Sequence, residues 1–268
     1  MGLMKEMFGV EKPVLGTINF LPFPGSPFYD DDGGIKKIRD AAARDAQILV
    51  DAGFDGLAFS NGSDRPYISD ADKATVAVMS SLISEISSRF RLPFGLSVTA
   101  DPEAAVAIGA ATEANYVRIF LYWDMILDWG SAGPYADALQ RFRKNFFTKK
   151  TKVFANISGN TELSGGRCLE DIANGAVRFA LADALCLSGT TAGETVLEDD
   201  IKAARAGSLD VPLVVAMGDS LYNVASVLAL SDAIIVDTYP HPDSEKTAVF
   251  IKKVREIRKN IKSGGDSQ

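Results

Sequence analysis

The chain has 268 residues, with 28 basic and 35 acidic side chains for a net charge of −7, and 47% of it is hydrophobic. That balance suits a soluble globular protein with enough apolar material for a large core. The scattered basic residues exclude a nucleic-acid surface, which would need a basic stripe.

Val14 to Phe20 opens the chain as a short apolar strand after Pro13. It runs into a segment that can be neither helix nor strand, because Pro22, Pro24 and Pro27 each fix φ and remove a backbone donor. Gly25 and Ser26 supply a turn. With Phe20, Leu21, Phe23, Phe28 and Tyr29, this stretch predicts a rigid aromatic loop that walls a site or an interface. Further strands are expected at 54–59, 94–98, 115–119, 152–157, 183–187, 211–216 and 232–236. Helical periodicity falls between them, near 34–52, 70–90, 102–113, 134–148, 168–181, 195–206, 220–230 and 244–262. Asp101 followed by Pro102 is a strong helix start. Cys186, in ALCLS, reads as core, and Cys168 gives it no CxxC partner. The basic run 252–262 keeps Val254, Ile257 and Ile261 on one side and reads as a solvated last helix.

Eight strands alternating with eight helices predict a single (β/α)8 TIM barrel of class α/β over residues 1–268, with 262–268 as a disordered tail. The competing doubly wound sheet would need a Gly-rich first turn, and no GxGxxG follows strand one. No apolar stretch approaches the ~18 residues of a membrane span. No signal-peptide core appears either, so a cytoplasmic location is expected.

In such a barrel the site lies at the C-terminal ends of the strands. Those positions carry Asn19, Asn61, Asp64, Asp101, Arg118, Asp128, Asn156, Ser188, Thr190, Gly218, Asp219 and Asp237. His241 is the only histidine, so a multi-histidine metal site is excluded. It reads as a solvated loop residue, because no serine near it sits in a nucleophile motif. What remains is carboxylate chemistry, hydroxyl binding, or no chemistry. Asp64, Asp101, Asp128 and Asp237 are the acid/base candidates, since two carboxylates held close divide acid from base roles. Each has a plainer reading. Asp64 precedes Arg65-Pro66 and could form a turn, Asp101 could cap its helix, and Asp128 could clamp Arg118. Asp237 directly follows the apolar IIV and is hardest to dismiss.

Several stretches resemble one family: KPVLGTINFLPFPGSPFY (12–29), DAGFDGLAFSNGSDRPY (51–67), ANYVRI (114–119) followed by Asp128 and Gly130, SGTTAG (188–193) and the Asn223 region. Together they resemble the BtpA/SgcQ family, whose members look like ribulose-phosphate-type barrels. One branch is linked to photosystem I biogenesis. Another is encoded with sugar-uptake genes and described as nucleosidase-like. The chain departs from the family pattern at the site. Asn19 stands where the family has histidine, and Ser60 where it has an acid. SVTAD (97–101) keeps only Asp101 of a longer polar pattern, and ISGNTE (157–162) lacks a Lys-His pair. AMGDS (216–220) replaces a glycine-rich turn, and Asp237 stands where the family has glycine.

The last two changes bear on phosphate, which such barrels cradle in the loops after strands seven and eight. Asp219 and Asp237 would each repel it by roughly 3–4 kcal/mol at about 5 Å and an effective dielectric near 20. A neutral polyol such as a sugar or nucleoside, or a divalent cation, is the expected ligand instead. An enzyme would use Asp101 or Asp237 as acid or base, with Asp64 and Asn61 on hydroxyls and Arg118 orienting a carboxylate. Phe20, Phe23, Tyr122 and Trp123 would stack on the ring. The alternative is a binding or assembly-factor barrel that has lost its catalytic groups. Exposed aromatics in 20–29 and 120–129 would favour a homo-oligomer.

Overall fold

A computed structural model describes residues 2–120, 125–127, 130–132, 136–145, 150–158, 167–189, 196–208, 210–238 and 241–265. Eight parallel strands close into a barrel. They are β1 (Val14–Asn19), β2 (Gly56–Ser60), β3 (Phe94–Ser97), β4 (Tyr116–Ile119), β7 (Lys152–Ser158), β8 (Ala184–Ser188), β9 (Leu213–Gly218) and β10 (Ala233–Asp237). Going round the ring, the order is β1-β10-β9-β8-β7-β4-β3-β2. The helices are α1 (Leu3–Phe8), α2 (Gly34–Ala52), α3 (Lys73–Phe90), α4 (Pro102–Ala111), α5 (Ala136–Asn145), α6 (Leu169–Arg178), α7 (Glu198–Gly207), α8 (Val224–Leu230) and α9 (Ser244–Gly265). All eight expected strands appear, and the last helix runs on to Gly265, into the expected tail. Two elements were not expected: α1, and a small antiparallel ribbon of β5 (Met125–Leu127) with β6 (Gly130–Ala132). No described helix is long and apolar enough to cross a membrane.

Strand side chains alternate in direction, so one set meets the helices and the other fills the barrel. Val14, Ile18, Leu57, Phe59, Val117, Val153, Leu185, Val215 and Val236 join the helix layer. Leu15, Ala58, Tyr116, Phe154, Cys186, Val214 and Ile235 form a second cluster inside the barrel. The Tyr116 ring stacks on Phe154 at 4.3 Å. It also lies against Gly95, where a Cβ would come within 2.4 Å of the ring. Short α1 belongs to this inner cluster. Met4 and Phe8, one turn apart, are buried on its one face, and Phe8 meets Tyr116 edge-on at 6.2 Å. The contacts of α1 with residues at strand starts put it under the N-terminal end of the barrel, which it plugs. Left-handed Gly9 ends the helix and lets the chain turn up into β1.

At that same end one hydrogen-bond pattern occurs four times. Asp55, just before β2, donates its N–H to Val14 O at 2.9 Å, and its Oδ2 accepts the Val14 N–H at 2.9 Å. Asp183 does the same with Val153, and Asp232 with Leu213. Asn115 does it with Phe94 through its amide oxygen, at 3.0 Å. Each clamp ties the first or second residue of one strand to the residue entering the next. The three charged clamps each also hold an arginine from the helix that precedes the strand pair round the barrel. These are Arg258 on Asp55 at 2.6 Å, Arg143 on Asp183 at 2.9 Å and Arg205 on Asp232 at 2.6 Å. Among the described residues the neutral Asn115 has no such partner, and an amide needs none.

Asp55→Ala would leave the Val14 N–H and the little-exposed Arg258 guanidinium without their acceptor. A loss of about 3 kcal/mol of unfolding free energy is expected. Asp40→Ala, which breaks the exposed Lys36–Asp40 pair, is expected to cost far less. Urea unfolding of the two variants checks the ordering.

Candidate functional site

Above the apolar filling, the inward positions at the strand C-termini turn polar. Asn19, at the end of β1, is only 6% exposed, and its Nδ2 donates to Asp237 Oδ1 on neighbouring β10 at 2.9 Å. Gly62 makes room for this amide, because a Cβ there would lie 2.5 Å from Asn19 Oδ1. Gly218 ends β9 in register with Asp237, and Asp219 beyond it is exposed.

A second group stands on the other wall. Strands β4 and β10 are four places apart in either direction round the ring, so Arg118 and Asp237 belong to opposite sides of the mouth. Arg118 donates from Nε and Nη2 to Asn156 Oδ1, at 3.2 and 2.7 Å. Asn156 Nδ2 reaches Ser188 Oγ at 3.3 Å. The guanidinium carbon lies 4.3 Å from the Phe120 ring centroid, within cation–π range. Three adjacent strands, β4, β7 and β8, thus supply one connected polar chain.

The remaining candidates hold loops. Asn61 Oδ1 accepts from the Thr99 N–H at 2.8 Å and its hydroxyl at 2.9 Å, joining the second and third βα loops. Asp101 Oδ1 accepts the Ala104 N–H at 2.9 Å as helix cap, and its Oδ2 accepts the Ala71 N–H at 2.8 Å. Asp64 Oδ1 accepts the Phe23 N–H at 3.1 Å, tying the proline-rich first loop to the second. Asp64, Asp101 and Asp237 are each engaged with different partners, and no group of three or more His, Cys, Asp or Glu suited to a metal occurs among the described residues. Asp128, Thr190, Tyr122 and Trp123 lie outside the described residues.

Two expectations need correction. Phe20 and Phe23 do not present rings to a ligand. Both are fully buried in the helix-facing core, with ring centroids 5.5 Å apart and Phe20 stacked on Phe59 at 5.7 Å. The first loop is rigid because it is part of the core, and of its aromatics only Phe28 is strongly exposed. His241 is not merely solvated: its Nδ1 lies 2.7 Å from Oδ2 of buried Asp45 on α2. Burial pushes the Asp45 carboxyl up, and His241 opposes that. Asp45 lies on the stripe of Ile38, Ala42 and Leu49, and a carboxylate on an apolar stripe signals a partner across the packing surface.

Comparison with known proteins places the whole chain. A profile of the BtpA family matches residues 10–263. An uncharacterised protein of Archaeoglobus fulgidus is 32% identical over 232 residues, covering 86% of this chain and 92% of that protein. The sgc region protein SgcQ of Escherichia coli K12 is 28% identical over 268 residues, covering 97% of this chain and all of that protein. Among solved structures, thiamine phosphate pyrophosphorylase from Pyrococcus furiosus superposes with a TM-score of 0.56 at 14% identity, covering 92% and 96% of the two chains. At that identity the likeness concerns the barrel fold alone.

Burial raises the Asp64 carboxyl above its ordinary value, against the lowering effect of the Phe23 N–H and the Ser26 hydroxyl, and nearby Asp72 adds to the rise. A carboxyl raised in the folded state contributes stability below its unfolded pKa of about 3.9 and loses it as pH climbs through the folded value. Asp64→Asn keeps an acceptor for Phe23. It is therefore expected to match the wild type near pH 3.5 and to become the more stable protein as pH rises from about 4 toward neutrality. Melting temperatures across that range test this, and a flat difference would contradict it.

Proposed function

Because the chain belongs to the BtpA family, we propose that it binds a sugar- or nucleoside-type small molecule in the mouth of its barrel and acts on it through Asp237. The observation that carries this reading is the change from apolar to polar inward positions toward the C-terminal ends of the strands. Asn19 and Asp237 stand on one wall, and Arg118, Asn156 and Ser188 on the other. Hydroxyl-rich ligands suit amide and carboxylate walls, and the plugged opposite end leaves one approach.

In this reading Asp237 is the general acid or base of a hydrolase or lyase reaction. The Asn19 N–H fixes the oxygen it touches. Asp101 and Asp64 act as positioning residues, since their oxygens serve backbone donors in the loops that frame the mouth. Gly218 and the exposed Asp219 close the β9 side, where a second carboxylate works against a phosphate. The engagement of Asp101 and Asp64 also favours a second reading, a barrel that binds its ligand without turning it over.

Asp237→Asn separates the two. Loss of turnover by about a hundredfold or more with ligand binding retained supports the acid/base role. Equal turnover in the variant, or no turnover by the wild type on any ligand it binds, supports the second reading. The ligand is sought by thermal shift with sugars, nucleosides, sugar phosphates and divalent cations. A phosphate ester that stabilises more than its parent sugar would overturn the exclusion of phosphate.

A further inference from the structure

Arg118 is the only cation carried at the C-terminal end of a barrel strand among the described residues, and its hydrogen bonds use less than half of it. A guanidinium has five N–H donors. The Nε–H and one Nη2–H both go to Asn156 Oδ1. The other three, two on Nη1 and one on Nη2, have no acceptor among the described residues. They form the end-on fork whose spacing matches the two oxygens of a carboxylate. No described acid forms an ion pair with Arg118, and the half-buried charge rests on a neutral amide and the face of Phe120. Elsewhere this molecule does pair its partly buried arginines with acids. Arg143, Arg205 and Arg258 each hold an aspartate. Among the described residues Arg118 is the exception, and it stands in the mouth.

We propose that Arg118, held by Asn156 against Phe120, is the receptor for a carboxylate of the ligand, so that the ligand is a polyhydroxy acid. Its acid end lies on the β4 wall and its hydroxyls reach Asn19 and Asp237 opposite. This rests on the mouth being the ligand site, as proposed above. A carboxylate carries one negative charge and is balanced by one guanidinium. A phosphate monoester carries about 1.5 to 2, more than one arginine neutralises, and the facing wall holds Asp237. A neutral sugar would leave the fork unfilled.

The test compares matched triplets on the full-length protein at fixed ionic strength: D-glucuronate, D-glucose and D-glucose 6-phosphate, then D-ribonate, D-ribose and D-ribose 5-phosphate. Thermal shift ranks them, and calorimetry measures the affinities. The acid is expected to raise the melting temperature more than either counterpart. Asn156→Asp would hand Arg118 an internal carboxylate, and is expected to weaken acid binding roughly tenfold to a hundredfold and to weaken the neutral sugar by much less. Arg118→Lys keeps a charge but loses the fork, and is expected to weaken the acid in the same direction. Ligand-free melts of both variants report whether the fold is kept, and either one folded suffices. Preference for the phosphate ester, or unchanged acid binding in a folded variant, would overturn the carboxylate receptor. If sugars stabilise the protein but acids add nothing, the receptor falls and the mouth reading stands. If no member of either triplet binds, both fall.

Discussion

Parallel strands have no hairpin to set their register, so the setting must come from their ends. Here a side chain does it, four times round the barrel. The residue entering each second strand bonds both backbone groups of the first or second residue of the strand before it. A one-residue slip would cost both hydrogen bonds and would turn the inward side chains outward. In three of the four clamps an arginine from the preceding helix grips the same carboxylate, so helix position and strand register are fixed by one group. Three partly buried aspartates that might pass for reactive acids are thereby accounted for.

With the base fixed in this way, the opposite end has room to vary. Its polar residues lie on strands whose positions are set from below, so an exchanged side chain changes the chemistry without moving the wall. Asn19, Ser60 and Asp237, at the C-terminal ends of their strands, belong to the mouth and not to that frame. The first loop belongs to the frame. Phe20 and Phe23 lock it into the core, and the Asp64 carboxylate holds its backbone.

The eight strands were legible because each is a short apolar run bounded by turn residues, and the helices because their apolar faces recur with helical spacing. Helix α1 escaped notice because a six-residue helix shows too little periodicity, and its apolar face declares itself only when the barrel is there to receive it. The strand-end rule pointed to Asn19, Arg118, Asn156, Ser188 and Asp237. Their pairing could not be read, because it depends on register between strands distant in sequence. The Phe20 and Phe23 error has a related cause. An apolar residue in a loop can face ligand or core, and only the backbone path decides. Asp101 showed both its possible roles in sequence, and Ala71, thirty positions away, supplies the second hydrogen bond that no local pattern announces.

The hydrogen bonds on the β4 wall also have a direction. Arg118 can only donate, so the Asn156 side chain must turn its oxygen to the guanidinium and its N–H group to Ser188. Ser188 receives that hydrogen and keeps its own to give away. The orientation of an amide, ordinarily ambiguous, is fixed here by a neighbour that cannot be deprotonated. The donor sense runs from arginine through amide to hydroxyl, so that whole wall seeks acceptors. The wall across from it carries the Asp237 carboxyl, which accepts from Asn19. Under the proposed reading, a ligand in this mouth would meet donors at one end and an acceptor at the other.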